Sequence, residues 1–410
     1  MNEQPRLHTL PVVAPGEIGL HATGLDRLSA VMQREVDTRH VPGVAMLIAR
    51  GGKVGYRRDF GALRPGGPPL PGNAIFRIYS MTKPIVTIAL MMLLEDGKLF
   101  VADPITKFIP ELTNLKVGVE TDGKLELVAA KKAITIHDLL RHTSGLTYAF
   151  TGNSAVQRRY GEANLFTGDP ANSNRFLSRD LTTAEFITEL AKLPLIAQPG
   201  DSWDYSHSTD VIGRVIEIVS GQSLGAFLSE RIFKPLGMND TAFFVPPEKY
   251  ERLAEPFPAD PDGGPPVQLI EMRTAPRFES GGGGLFSTMD DYSRFAHMLY
   301  QGGTFGGTRI VSRKTLEWMT SGHLAPEVRI GTPSLLQPGH TFGLGFAVRR
   351  EPGMGQTPGT VGEFFWGGVA GTYFWVAPRE ELFALMLVQA PRQRDYFRQL
   401  FRTLVYASLA

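Results

Sequence analysis

Strand-like patterns stand at both ends of this 410-residue chain and helix-like patterns fill its middle, which leaves few ways to build a sheet. Val44 to Ala49 reads as a buried strand, and Gly51-Gly52 is a hairpin turn into Val54-Gly55-Tyr56. Near the other end, Thr372 to Ala377 is β-branched and aromatic, and Pro378-Arg379-Glu380 turns it back into Leu382 to Val388. Glu17 to Thr38 carries Leu25, Leu28, Val31 and Met32 at helical spacing, as Asp395 to Leu409 carries Phe397, Leu400, Phe401, Leu404 and Val405. Between the ends, Thr182 to Leu193, Ser208 to Val219, Ser223 to Phe233 and Thr288 to Tyr300 read as helices with polar starts, and Pro194 stops the first. The simplest packing is an α/β (α+β) fold in which both chain ends build one antiparallel sheet flanked by helices. The expected division is a sheet domain of residues 1–79 and 320–410 and a helical insertion of residues 80–319, with a small-molecule site in the cleft between them. Arg64 to Gly72, Pro256 to Pro266 and Gly353 to Gly362 read as surface loops.

Composition narrows the chemistry. Lysine plus arginine (42) nearly balances aspartate plus glutamate (41), leaving a formal charge of +1. That balance gives no pull toward nucleic acid or an anionic membrane, so the expected partner is a small molecule without strong charge. There are no cysteines, which excludes disulfides, thiolate metal sites and a cysteine nucleophile. The nine histidines form no His-Glu-x-x-His pattern, and neither a metal nor another cofactor is expected. Met1-Asn2-Glu3-Gln4-Pro5-Arg6 opens polar, without the apolar centre of a secretory signal. The longest apolar run, Ile85 to Leu94, is about half of what spans a bilayer. It reads as a buried helix, and a cytoplasmic protein is the expectation; the oligomeric state is not legible.

Ser80-Met81-Thr82-Lys83 precedes that helix. A serine hydroxyl is a poor nucleophile until a base takes its proton. At a helix N-terminus the macrodipole favours negative charge on its oxygen, and Lys83 at i+3 falls on the same face. A desolvated lysine can give up its proton near neutral pH and serve as that base. Pro84 is tolerated in a first turn. Alone the pattern is weak, since chance supplies roughly one match in a chain this size.

Context strengthens it. In order come Asp96-Gly97-Lys98-Leu99, Asp103-Pro104-Ile105, the block Thr135 to Leu146, Pro199-Gly200-Asp201-Ser202-Trp203-Asp204-Tyr205-Ser206, Gly281 to Thr288, and Trp366-Gly367-Gly368. From Leu25 onward the chain resembles the serine β-lactamase and penicillin-binding fold, specifically class C β-lactamases and the related family VIII carboxylesterases. The resemblance implies Ser80 as nucleophile, Lys83 as its partner, and Tyr205 sharing the base role and protonating the leaving group. It implies an oxyanion hole from the N–H groups of Ser80 and Val369. Where β-lactamases carry Lys-Thr-Gly, this chain has Trp366-Gly367-Gly368, so the lysine that would hold a β-lactam carboxylate is missing. Where they carry asparagine two residues after the tyrosine, it has His207. Both departures favour an esterase acting on short-chain esters, as does the aromatic Thr147-Tyr148-Ala149-Phe150. Trp366, Gly367, Gly368, Tyr148, Phe150 and His207 are the expected substrate contacts. Acyl transfer, weak β-lactamase or D-amino-acid amidase activity, and an inactive binding domain are the alternatives.

Gly221-Gln222-Ser223-Leu224-Gly225 fits the Gly-x-Ser-x-Gly pattern of α/β-hydrolases, but a nucleophile elbow needs a strand before the serine. A helical pattern precedes Ser223, so it reads as a helix cap. His207 as a general base lacks a carboxylate pattern to orient it and reads as a cleft-lining side chain. His142 and Ser144 read as structural hydrogen-bonding groups at a helix end.

Overall fold

The computed structural model describes residues 10–163, 165, 181–263, 267–271 and 273–410. Residues 264–266, the end of the loop expected from Pro256, lie outside them. Helix α1 (Ala22–Asp37) leads into strands β1 (Gly43–Arg50) and β2 (Lys53–Gly61). Gly51 and Gly52, at φ 57° and 75°, make the two-residue turn that suits the twist of a hairpin. Helix α2 (Thr82–Glu95) follows, and later α3 (Ser208–Ser220) and α4 (Met289–Tyr300). The chain returns to the sheet with β3 (His340–Phe342), β4 (Ala347–Arg349), β5 (Phe364–Gly367), β6 (Tyr373–Ala377) and β7 (Leu382–Val388), and then forms α5 (Arg394–Tyr406).

These strands form one seven-stranded sheet in the order β3-β4-β5-β6-β7-β1-β2, every neighbour antiparallel. The expected architecture, a sheet assembled from both chain ends and flanked by helices, is therefore the observed one. β1 pairs with β7 from Val44 opposite Val388 to Arg50 opposite Leu382. Side chains alternate between the faces of a strand, and both faces here are covered, so β1 and β7 read as unbroken apolar runs. Val44, Met46 and Ile48 meet Leu25, Leu28 and Met32 of α1 and Phe397, Phe401 and Val405 of α5. Ala45, Leu47 and Ala49 join the larger core that holds α2 and α4. Every residue of α2 from Thr82 to Leu93 is buried, and α3 packs against it. A helix apolar on all sides is a core helix, and each such Ile, Leu or Met contributes about 1.5–3 kcal/mol on burial.

Short strands interrupt the helical middle expected, and two departures bear on the reading above. Lys116–Thr121 and Lys124–Ala129 form a hairpin turned by Asp122 and Gly123, both left-handed at φ 50° and 74°. Asp-Gly between alternating residues is a strong hairpin signal that the reading above passed over. Ser223 to Phe233 is a short helix, Leu224–Leu228, that widens into a π turn, Ser229–Phe233. Ser223 Oγ accepts the Ala226 N–H at 3.2 Å, the cap expected of it. No single helix among the described residues is long and apolar enough to cross a membrane.

Candidate active site

Ser80 sits in a single 3-10 turn, Tyr79–Met81, that runs directly into α2. Tyr79 adopts φ 44°, a left-handed conformation that costs a bulky residue of order 1–3 kcal/mol. Its phenol oxygen accepts the Ile270 N–H at 3.0 Å, and its ring is buried with Ile75, Val245, Leu253 and Phe286. These contacts hold the strained residue that presents Ser80. One turn on, Lys83 is 1% exposed. Its amine donates to Gly282 O at 2.6 Å, Tyr148 Oη at 3.2 Å and Ser80 Oγ at 3.4 Å. It also lies 4.5 Å from the centre of the Tyr205 ring.

Tyr205 is carried between the short strand Ser202–Trp203 and the start of α3. Its phenol oxygen accepts the Trp366 indole N–H at 3.3 Å, and its ring lies 5.0 Å from His142 and 5.4 Å from Tyr148. Its backbone N–H donates to Thr332 Oγ1 at 3.3 Å. Thr332 follows a segment in which Arg329 and Ile330 pair in parallel with Ser202 and Trp203, and the Gly331 N–H reaches Trp203 O at 2.9 Å. Behind the tyrosine, hydrogen bonds link His142 Nδ1 to Ser206 Oγ, Ser206 to Ser208 and Ser208 to Ser144. Burial, with the charge of Lys83 adding to it, holds His142 well below the ordinary histidine value, so it is a neutral hydrogen-bonding group. Burial pushes the Tyr148 phenol well above 10, and the charges of Asp210 and Tyr205 act in the same direction.

Past β5 the chain makes the turn Gly368 to Gly371. The Gly368 N–H donates to Thr372 O at 2.8 Å and the Gly371 N–H to Gly368 O at 3.0 Å. Arg398 of α5 donates to the carbonyl of Gly368 and, at 3.4 Å, to that of Thr372. A cation thus reaches the turn from another element, although the sequence position of the β-lactamase lysine holds Trp366. Burial pulls Arg398 down to about 10, the charge of Asp395 opposing this.

Ser80, Tyr205, Trp366, Gly367 and Val369 border one cavity of about 430 Å³. Phe150, Leu335, Phe365 and Tyr373 give it apolar walls, Ser334 and Gln337 a polar stretch, and Arg394 and Arg398 a cationic side. Lys83 and Tyr148 stand behind Ser80, both buried. His207, 1% exposed, turns its Nδ1 to Asp210 Oδ2 at 3.0 Å and lies against Tyr148, ring centres 4.3 Å apart. Asp210 and Arg398 escaped the sequence reading. Asp210 follows His207 at i+3 on one helix face, a legible signal, but its partners Ser280 and Gly282 are some seventy residues away and no spacing announces them. Among the described residues no group of three or more His, Asp or Glu side chains is placed to hold a metal ion.

A hydroxyl beside a buried amine, a phenol within the same cluster and backbone N–H groups on a facing turn form an arrangement able to transfer acyl groups. Fold and site define the class, a serine hydrolase of mixed α/β architecture. The chain belongs to the β-lactamase family, whose profile, described as Beta-lactamase, matches residues 28–407. It is 32% identical over 392 residues to Esterase EstB of Burkholderia gladioli, covering 91% of this chain and 92% of the relative. It is 35% identical over 352 residues to Protein Rv1367c of Mycobacterium tuberculosis, covering 82% and 81% of the two chains. Among solved structures, "EstCE1, a hydrolase with promiscuous acyltransferase activity" superposes with a TM-score of 0.77 at 26% identity, covering 94% of this chain and 98% of its own.

Proposed function

We propose that this protein is a carboxylesterase that cleaves short-chain esters through an acyl group held on Ser80. The observation that carries the reading is the buried Lys83 amine, which lies within reach of Ser80 Oγ and over the ring of Tyr205. In this mechanism the Ser80 proton passes to Lys83 as Oγ bonds to the ester carbon, and the carbonyl electron pair moves onto its oxygen. The N–H groups of Ser80 and Val369 receive that oxyanion. The carbonyl re-forms, the bond to the alcohol breaks, and the departing oxygen takes a proton by way of Tyr205. Water, deprotonated by the same groups, then releases the acid and restores Ser80. The named esterase relative supports the ester substrate. Trp366 stands where β-lactamases carry their lysine, an indole with an apolar face whose N–H is given to Tyr205 Oη.

A second reading is favoured by the cavity. About 430 Å³ of space, aromatic on one side and lined by arginines on another, exceeds what a short acyl group fills and admits an alcohol acceptor. The acyl group would then pass to that alcohol instead of water, which agrees with the acyltransferase activity in the description of EstCE1. The test uses p-nitrophenyl butyrate with and without added alcohols, in wild type, Ser80→Ala and Ser223→Ala. Ser80→Ala should lose at least about a thousandfold in turnover while Ser223→Ala keeps most of it. The opposite pattern moves the nucleophile to the Gly-x-Ser-x-Gly segment and sinks the proposal. Ester product formed from an added alcohol establishes the second reading.

A further inference from the structure

Asp210 is a carboxylate 1% exposed in the core, outside the cavity lining and one helical turn from His207. Its Oδ1 accepts from Ser280 Oγ at 2.6 Å and from the Gly282 N–H at 2.8 Å, and its Oδ2 faces His207 Nδ1 at 3.0 Å. Burial opposes its ionisation, but the His207 hydrogen bond first, then the charges of His207 and Lys83 and the Ser280 bond, hold it below the ordinary carboxylate value. His207 is itself lowered by burial, its bond to Asp210 opposing this. A buried anion is expensive unless bonded this fully.

The far side of Gly282 makes the arrangement more than structural. Its carbonyl receives Lys83 Nζ at 2.6 Å. A β-carbon on this residue would lie 2.7 Å from Asp210 Oδ2 and 2.8 Å from Tyr148 Oη, so only glycine lets carboxylate, phenol and amine converge here. A neutral amine has two N–H groups and one lone pair. Gly282 O and Tyr148 Oη take the two N–H groups, and the remaining direction is Ser80 Oγ at 3.4 Å. Once the Ser80 proton has moved to Lys83 the amine is an ammonium in a dry core, where it needs an anion.

We propose that Asp210 is a positioning residue of this site. It fixes the Gly282 carbonyl that aims the Lys83 lone pair at Ser80, and it supplies the counter-charge for the ammonium formed during acylation. The proposal rests on the roles given to Ser80 and Lys83 above. The titratable groups facing Lys83 from the surrounding elements are Tyr148, Tyr205, His142, His207 and Asp210, and of these Asp210 carries the negative charge.

The experiment is Asp210→Asn, which keeps an oxygen for Ser280 and Gly282 and removes the charge. Acylation by p-nitrophenyl butyrate, followed as the burst of nitrophenol in the stopped flow, should slow by about 30- to 100-fold. That is the size Coulomb's law gives for unit charges two hydrogen bonds apart at a protein-like dielectric. KM should stay within a few-fold, and the rising limb of the pH profile should move to lower pH because the ammonium has lost its counter-charge. A purely structural role would lower melting temperature and leave that limb in place. Ser280→Ala is the second variant: it removes the 2.6 Å bond but leaves the charge on Asp210, so acylation should slow less than in Asp210→Asn and the rising limb should stay in place. An Asp210→Asn protein of native circular dichroism, acylating within threefold of wild type with an unmoved profile, overturns the proposal. So does a rising limb that moves as far in Ser280→Ala as in Asp210→Asn. A wild-type protein whose intact mass shows no acyl group on Ser80 overturns this proposal and the esterase mechanism together. Acylated wild type with an unaffected Asp210→Asn overturns this one alone.

Discussion

Replacing Gly368 with alanine puts a methyl group into the turn that carries Val369. The added carbon would lie 2.3 Å from Ile78 O and 2.3 Å from Thr372 Oγ1, where carbon–oxygen contacts settle at roughly 3.3 Å. Neither neighbour has room to yield. Ile78 O takes the Met81 N–H at 3.0 Å and so anchors the turn of Ser80, while Thr372 lies on the strand side of the same tight loop and its carbonyl takes the Gly368 N–H at 2.8 Å. The turn must therefore swing outward by about 1 Å, carrying the Val369 N–H away from the position an ester oxygen would occupy. A misplacement of about 1 Å alone costs on the order of 10²-fold, and loss of one oxyanion donor costs about 10²–10³-fold. The expected outcome is a kcat for p-nitrophenyl butyrate lower by about 100- to 1000-fold, with KM within a few-fold of wild type. Steady-state assays with a burst measurement separate acylation from turnover, and circular dichroism reports the fold. A native-like Gly368→Ala protein with kcat within threefold of wild type refutes the oxyanion role given to this turn.

Lys83→Ala and Tyr205→Phe should each cost nearly as much as the double mutant, since groups that work as a unit are non-additive, and wild-type rate should climb from neutral to alkaline pH; losses that multiply in the double mutant refute the coupling. Wild type should prefer a short p-nitrophenyl ester over a cephalosporin in kcat/KM, and Trp366→Lys should shift that ratio toward the cephalosporin by about ten- to a hundredfold; an unchanged ratio means that residue 366 does not discriminate. Stability should fall as pH drops from about 6.5 toward 4. Burial, with the Arg141 charge next, lowers His137 to about 4, and burial lowers His297 to about 4, so over that window the unfolded chain binds protons the folded chain refuses. Each contributes at most about 1.4 kcal/mol per pH unit. Asp291, raised to about 6 by burial, works in the opposite sense because its folded form holds the proton more firmly. Urea midpoints at pH 7 and pH 5 check the balance, and a higher midpoint at pH 5 contradicts it.

Much of this was legible because local chemistry and global fold agree. Val44 to Ala49 and Leu382 to Val388 could be read as strands since both faces are buried and nothing polar interrupts them. The spacing of Ser80 and Lys83 was weak alone and gained weight from ordered blocks down the chain, which also pointed to Tyr205 and the turn after Trp366. The short strands β3, β4 and β5 span only three or four residues, too few for any periodicity to register. Arg398 looks like one more charge on an amphipathic helix, paired with Asp395 three residues before it, and only the close approach of α5 to the Gly368 turn gives it the carbonyls there. Asp210 was hidden for a related reason, since its meaning depends on a glycine loop brought back across seventy residues of chain.

The bond from the Tyr205 backbone to Thr332 has a consequence for how such a site can be re-engineered. Ser334, Leu335 and Gln337, just beyond Thr332, form part of the wall that any substrate meets. The same short segment therefore lines the cavity and holds the Tyr205 backbone. Grafting a foreign loop here would retune what fits and, in the same stroke, loosen the tyrosine by tenths of an ångström. Libraries that randomise this wall should collect variants that bind new esters yet turn them over slowly, unless Thr332 and the pairing of Ile330 and Gly331 to Trp203 are left untouched. Cavity wall and tyrosine backbone in this protein share one short segment.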